Sequence, residues 1–195
     1  MEEYLQLACI NQENARRVVS DLQIEKLWGE IGAEINLVGS LKTGLLCKHR
    51  DIDFHVYTEK VTIAESFSVI LKICKNPRVK KFWFKNLLNT GEDCLEWHLT
   101  YLDDNGKDWQ IDIIHMPKGS RYDGYFENFA NRLCEIMTEE ERLAILRLKY
   151  ETPDCEKIAG VEYYRAVIEG GIRTFEDFSS WREENRLEGI LDWMP

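Results

Sequence analysis

The sequence of 195 residues has no apolar run close to the roughly 20 residues that a membrane-spanning helix needs. Its first residues, Met-Glu-Glu-Tyr, also lack the basic start and the apolar stretch of a signal peptide. Because of these two absences, the sequence does not predict a helical membrane anchor. They favour a cytoplasmic protein with no membrane partner.

The six cysteines include no C-x-x-C pair, and the four histidines do not stand at a ligand spacing. A structural zinc site needs clustered thiolates or imidazoles, so none is predicted. A disulfide framework is typical of small secreted domains and is not expected in a chain of this kind. We therefore interpret the cysteines as buried free thiols.

Basic residues are in the minority, with 25 lysines and arginines against 35 acidic residues and a net charge of -10. Proteins that bind long nucleic acids neutralise phosphates with lysine and arginine. A polynucleotide partner is therefore not expected. A single nucleotide remains compatible with the acidic balance, because magnesium can carry its charge.

The spacing of apolar residues changes along the chain and predicts a mixture of helices and strands. Between residues 51 and 57 the apolar side chains alternate with Asp51, Asp53 and His55, as they do in a strand with one buried face. Helices are predicted over residues 14–31 and 63–74. Strands are predicted over residues 35–38, 51–57, 79–85, 95–102 and 109–116, the last two as a hairpin.

Residues 117–120, Pro-Lys-Gly-Ser, interrupt this pattern and are a candidate boundary. The chain beyond them has helical periodicity, and Thr138 with Glu141 forms a capping-box signature. The predicted fold class is α+β. Residues 1–118 are expected to form a small mixed β-sheet with helices, and residues 119–195 a helical C-terminal region.

One constellation of residues suggests chemistry. The strand at residues 35–38 runs into Gly39 and Ser40, and after ten further residues Asp51 and Asp53 lie on one face of the next strand. A glycine lets the backbone approach a ligand closely, and amides and a hydroxyl can donate to phosphate oxygens. Two neighbouring carboxylates suit a hard cation such as magnesium.

Gly-Ser followed at this distance by two aspartates that alternate with apolar residues resembles the signature of DNA polymerase β-type nucleotidyltransferases. In that family a later strand supplies a third carboxylate, and Asp112 stands in a matching apolar context. The stretch from Lys48 to Phe54 is also similar to bacterial antibiotic nucleotidyltransferases. The resemblance implies the nucleotidyltransferase fold for residues 1–118.

The resemblance also implies roles for individual residues. Asp51, Asp53 and Asp112 would be the catalytic and metal-binding carboxylates, with Mg²⁺ or Mn²⁺ as the cofactor. Gly39 and Ser40 would bind the nucleotide. Lys48 and Arg50 are further candidate contacts to the triphosphate, with an ordinary solvated side chain as the alternative for each. Glu96 is the alternative third carboxylate, because Asp112 could instead cap the hairpin or face solvent.

The function that follows is transfer of a nucleoside monophosphate from a nucleoside triphosphate, with ATP expected, to the hydroxyl of a small-molecule acceptor. One alternative is a protein-modifying or toxin–antitoxin-type minimal nucleotidyltransferase. Another is a non-catalytic relative that only binds nucleotides. An intact set of three carboxylates favours an enzyme over the last of these.

Overall fold

A computed structural model of the chain describes residues 2–185 and 193–195. Helices and strands alternate in the first part, and helices alone follow the last strand. In chain order the elements are α1 (Glu3–Leu22), α2 (Ile24–Gly29), β1 (Glu34–Val38), α3 (Gly39–Lys42), β2 (Asp51–Thr58), α4 (Ile63–Ile73), β3 (Val79–Asn86), β4 (Leu95–Leu102), β5 (Asp108–Pro117), α5 (Tyr125–Ile136), α6 (Glu139–Glu151), α7 (Gly160–Ile168) and α8 (Phe175–Glu184).

The strands form one mixed sheet in the order β1-β2-β5-β4-β3. β2 and β5 pair in parallel, and the other neighbouring strands pair antiparallel. The two central strands therefore end on the same side of the sheet, although α4, β3 and β4 separate them in the sequence. The predicted α+β class and the mixed sheet are confirmed.

The two faces of the sheet differ in chemistry. Ile52, Phe54, Ile111 and Ile113 are buried on one face in a core shared with α1, α2 and α4. The other face carries Asp51, Asp53, Gln110 and Asp112, and we call it the carboxylate face. Burial alternates residue by residue along β4 and through the middle of β5. The alternation of apolar and polar residues in the sequence therefore places the apolar side chains in the core and the carboxylates on the opposite face.

The helices after β5 have a core of their own, built around residues such as Leu133, Ile145 and Phe178. α1 contributes to both cores, because Ala8 packs in the helical core and Ala15 in the sheet core. The Thr138 and Glu141 capping box opens α6 as predicted. The boundary after residue 118 stays a prediction, and residues 186–192 of the predicted C-terminal region lie outside the described residues.

The N-terminal helix differs from the prediction of one helix over residues 14–31. α1 begins at Glu3, and the helical path breaks at Gln23, which has a left-handed backbone with φ of 50°. Its N–H donates to the carbonyl oxygen of Ser20. Ile24 and Trp28 continue the apolar spacing and are fully buried, so the periodicity gave no sign of the break.

The six cysteines are free thiols, but the expectation that they are buried is wrong for Cys9, Cys134 and Cys155, which are exposed. In the part of the chain that the structure describes, none of the helices is both long and apolar enough to cross a membrane.

Candidate active site

Four side chains form a row across the carboxylate face, each on a different strand. Asp53 of β2 lies directly opposite Asp112 of β5, which lies opposite His98 of β4, which lies opposite Trp83 of β3. We call this set the cross-strand row. Asp51 lies two residues before Asp53 on the same face, so the structure brings together the three carboxylates that the sequence singled out.

Gly39 lies at the β1 end of this row, where Val38 pairs with Asp53. Its φ of +66° is left-handed, and a Cβ there would lie 2.8 Å from Asp53 Cγ and closer still to Oδ2. The glycine is therefore required by the Asp53 carboxylate itself, and not only by an approaching phosphate. Ser40 follows in the first turn of α3 and is half-buried.

The carboxylates raise the free energy of one another's ionised forms. Burial raises the pKa of Asp53 to about 7, with the charges of Asp112 and Asp51 as further causes. Burial also raises the pKa of Asp51, while the charge of His49 opposes the shift and that of Asp112 adds to it. A bound cation would remove this penalty, so the donor set fits a divalent metal.

Asp112 is held by neighbours on its own sheet. His98 Nδ1 lies 2.6 Å from Asp112 Oδ1, and Gln110 Nε2 donates to Oδ2 at 2.8 Å. Glu96, the alternative third carboxylate, lies on β4 and forms an ion pair of 2.8 Å with Lys85. Asp112 is thus the carboxylate that faces Asp53 directly. Counting back from the hairpin turn would have placed His98 beside Asp112, but the sequence analysis missed it.

Within residues 2–185 and 193–195, no three His, Cys, Asp or Glu side chains are already gathered as a metal-binding group. The three aspartates are partly buried on one face of the sheet, with the Asp112 carboxylate turned to His98 and Gln110. This agrees with the way proteins bind magnesium, which takes one or two carboxylates and completes its shell with water and substrate phosphates.

The two basic candidates lie beside Asp51 but differ in what they contact. Lys48 donates to the carbonyl oxygen of Thr152 and forms an ion pair of 2.7 Å with Asp154. Arg50 Nε donates to the carbonyl oxygen of Asp108 at 2.9 Å. Both line a cavity of about 300 Å³ next to the carboxylates, whose walls are formed by Lys48, His49, Arg50, Asp51, Lys81, Thr100, Asp108, Trp109 and Gln110.

Lys149 of α6 is a second residue that the sequence analysis missed. Its ammonium donates to the carbonyl oxygen of Leu45 at 3.0 Å and to the Tyr164 hydroxyl at 3.2 Å. Its positive charge partly opposes the rise that burial causes in the pKa of Asp51 and of Asp53. No motif marks this lysine, because its position depends on how the helical region packs against the sheet.

No protein-family model matches the sequence, and no curated protein matches it. Solved structures do match its fold. The Cid1 poly(U) polymerase bound to MgATP superposes with a TM-score of 0.59 at 17% identity, over 83% of this chain and 50% of that one. A cytoplasmic RNA terminal U-transferase gives 0.56 at 16% identity, over 83% and 49%. The poly(A) polymerase GLD-2, in complex with GLD-3, gives 0.54 at 12% identity, over 86% and 58%.

These comparisons correct one prediction and confirm another. The expectation of a small-molecule acceptor and no polynucleotide is wrong, because the similar structures are a poly(U) polymerase, an RNA terminal U-transferase and a poly(A) polymerase. The net charge misled, since it averages over the chain while Lys48, Arg50 and Lys81 gather beside Asp51. The chain spans about half the length of these structures. It has the nucleotidyltransferase fold, as the resemblance carried by its glycine, serine and aspartates implied.

Proposed function

We propose that this chain is a metal-dependent nucleotidyltransferase that adds a nucleoside monophosphate, taken from a nucleoside triphosphate, to the terminal hydroxyl of an RNA strand. The observation that carries the proposal is the direct pairing of Asp53 with Asp112, with Asp51 on the same face and Gly39 against the Asp53 carboxylate. An acidic cluster of this kind is costly to a fold unless a cation uses it.

Asp51, Asp53 and Asp112 would hold the metal, Mg²⁺ or Mn²⁺. When bound, the metal would neutralise the negative charge on the phosphate oxygens and on the attacking and leaving oxygens. Structures of the similar Cid1 polymerase contain MgATP and MgGTP, which supports a magnesium nucleotide as the substrate form.

Gly39 and Ser40 would bind the triphosphate, because they lie at the β1 end of the carboxylate row and Ser40 offers a hydroxyl donor. Lys149 adds a positive charge from the helical region on the same side of the site. Lys48 and Arg50 remain proposed contacts. Arg50 suits the role better, because Lys48 is already engaged by Thr152 and Asp154.

In the reaction, the terminal hydroxyl oxygen of the acceptor forms a bond to the α-phosphorus, and the bond from that phosphorus to the pyrophosphate oxygen breaks. The hydroxyl proton passes to the Asp112 carboxylate, and pyrophosphate leaves with the electron pair of the broken bond. His98 and Gln110 position Asp112 through the hydrogen bonds on its two oxygens. Holding the reactants in line is the main contribution that a protein makes to such a transfer.

An RNA acceptor is proposed from the similar structures, which include poly(U) and poly(A) polymerases. The cytoplasmic location predicted from the sequence is part of the same proposal, and one similar structure is described as a cytoplasmic enzyme.

The proposal is tested by two measurements on the same protein. Calorimetric titration with each of the common nucleoside triphosphates, with and without Mg²⁺ or Mn²⁺, should show binding that depends on the metal. Incubation with a labelled single-stranded RNA should give products lengthened at the 3′ end. Asp51→Asn and Asp53→Asn, which keep the side-chain shape, should abolish both. Metal-independent nucleotide affinity, identical in the wild type and the two variants, would rule out this function.

A further inference from the structure

The cross-strand row continues past the carboxylates to the edge of the sheet. Trp83 lies two strands beyond Asp112, which corresponds to about 10 Å at the usual strand spacing. The indole stacks on the His98 ring with centroids 3.6 Å apart and planes 12° apart. His98 in turn contacts Asp112. A continuous line of contacts therefore joins the proposed reacting end of the site to an aromatic ring on the edge strand.

Trp83 is exposed to 50%, which is unusual for a tryptophan. One face of the indole lies on His98, the Lys85 ammonium lies 5.9 Å from the ring centroid, and about half of the residue's surface is open to solvent. Trp28, Trp97 and Trp109 are by contrast fully buried. Exposed aromatic rings beside a basic groove are the stacking platforms of proteins that bind single-stranded nucleic acids, because every base has a flat face to offer.

The chemistry of transfer assigns a direction to this line. Attacking and leaving oxygens lie on opposite sides of the phosphorus in an in-line displacement. Gly39 and Ser40, the proposed triphosphate contacts, lie on the β1 side of Asp53. The acceptor hydroxyl must then enter from the opposite side, where β5, β4 and β3 carry Asp112, His98 and Trp83.

Two lysines lie near the Trp83 ring on the same strand. Lys81, Trp83 and Lys85 alternate along β3 and so share the carboxylate face. Lys85 is already paired with Glu96. Within the described residues the Lys81 ammonium forms no hydrogen bond or ion pair, and the side chain lines the cavity that Arg50 and Asp51 also line. A phosphate near Lys81 and Arg50 would complement their charge in a chain that is otherwise acidic.

We infer that Trp83 and Lys81 bind the acceptor strand, with an unpaired base of the RNA stacked on the indole and a backbone phosphate held at Lys81. This inference rests on the proposed function, since it assigns the acceptor side of that same site. The preferred ligand is single-stranded, because bases within a duplex cannot present a free face to the ring.

The test is a binding titration of a short labelled RNA with a free 3′ hydroxyl, in single-stranded and duplex form. Trp83→Ala should weaken binding of the single strand about fivefold to a hundredfold, the range for losing one stacked base. Trp83→Phe should restore most of the affinity. Leu71→Ala is the matched control, because Leu71 is an equally exposed apolar side chain, 57% accessible, on α4.

Lys81→Ala gives an independent measurement through salt. The slope of log affinity against log salt concentration should fall by about 0.7, the value for one phosphate contact on a single strand. Lys80→Ala, which removes the neighbouring exposed lysine, should leave the slope unchanged. The two lysines differ because the Lys80 ammonium donates to the carbonyl oxygen of Pro77 instead of lining the cavity.

Nucleotide titration with Mg²⁺ on each variant separates this inference from the proposed function. Wild-type nucleotide affinity in Trp83→Ala, together with weakened RNA binding, supports the inference. Unchanged RNA affinity in both Trp83→Ala and Lys81→Ala overturns it while leaving the nucleotidyltransferase intact, and so does equal affinity for duplex and single strand. A surface that serves a protein partner instead would also give unchanged RNA affinity. Loss of metal-dependent nucleotide binding in the wild type would refute the proposed function itself.

Discussion

The two ends of the cross-strand row differ in burial and in charge. At one end Asp53 is enclosed between Gly39 and the neighbouring carboxylates, and burial raises its pKa to about 7. At the other end Trp83 lies open on the edge strand, supported on one face by His98. The first end holds a cluster of negative charges, whereas the second has lysines on either side of an exposed ring.

The difference suggests how one face of a sheet can bind two different substrates. The enclosed end suits a triphosphate and its metal, because both need charged groups at fixed positions. The metal would also relieve the repulsion among the clustered carboxylates. The open end suits a flexible strand that must enter, react and move on. Asp112 lies between them, facing Asp53 on one side and His98 on the other.

The largest effect is expected at the junction of the two ends. Asp112→Asn keeps the side-chain shape and removes the proton acceptor, so transfer should fall by about 10²–10⁴-fold. Nucleotide affinity should change far less, because the enclosed end still has Gly39, Ser40, Asp51 and Asp53. Turnover and calorimetric titration on one preparation measure both quantities. Glu96→Gln is the control, and a larger loss there than in Asp112→Asn would exchange the roles of the two residues.

Gly39→Ala tests how tightly the enclosed end is built. The new Cβ would collide with the Asp53 carboxylate, and the displaced carboxylate should cost transfer about 10²-fold or more. Gly44→Ala is a matched control, because Gly44 also has a left-handed φ of +71° but no atom closer than 4.0 Å to an added Cβ. It should cost stability of the order of 1 kcal/mol while activity is kept. Equal activity losses in the two variants would mean that backbone strain alone matters.

His98→Gln tests the link between the two ends. Its hydrogen bond to Asp112 and its stacking under Trp83 would both be altered. Residues that orient a metal-site carboxylate contribute about 10–100-fold, and we expect a loss of turnover of that size. Affinity for RNA should fall in parallel, while affinity for the magnesium nucleotide stays the same. A loss confined to nucleotide affinity would contradict this arrangement.

The smallest effect concerns stability and pH. Asp53 has a higher pKa in the folded chain than the usual 3.8, so the folded state binds more protons than the unfolded state between these values. The free energy of unfolding should therefore fall as the pH rises from about 4 to about 7. Asp53→Asn cannot ionise and should melt higher than the wild type at about pH 8 without metal, by roughly 2–4 °C for each kcal/mol recovered.

The comparison of melting temperatures at about pH 5 completes this test, because the gain should shrink there as Asp53 becomes protonated in the wild type. Adding Mg²⁺ at the higher pH should stabilise the wild type and not the variant. If the variant gains nothing at either pH, the carboxylates are not in conflict and the enclosed end carries no penalty.

Local patterns in the sequence predicted most of the fold and the three carboxylates. Alternation at Ile52 and Phe54 against Asp51 and Asp53 depends only on strand geometry, and it placed the faces correctly. The break at Gln23 was missed, because a left-handed glutamine leaves no mark in apolar spacing. The catalytic and metal-binding roles of the three aspartates stay predictions, and so do the nucleotide-binding roles of Gly39, Ser40, Lys48 and Arg50.

Contacts between distant segments were harder to predict. The charge of Lys149 acts on the carboxylates only because α6, about a hundred residues further along the chain, packs so that the ammonium donates to the carbonyl oxygen of Leu45. The pairing of His98 with Asp112 could have been predicted by counting residues back from the hairpin turn. Leu102 pairs with Asp108 there, and the ladder continues to His98 and Asp112. The acceptor was predicted wrongly because a summed charge says nothing about where lysines gather.

The position of β3 at the edge of the sheet has a consequence for self-association. An edge strand offers unpaired backbone groups to any other strand, and β3 also exposes Phe82 and Trp83. Lys80, Lys81 and Lys85 place charge along that same edge, and the register shift at Lys80 interrupts its regular ladder. Two copies meeting edge to edge would bring these lysines together, so Lys81, which is proposed to bind RNA, also acts with Lys80 and Lys85 against edge-to-edge aggregation.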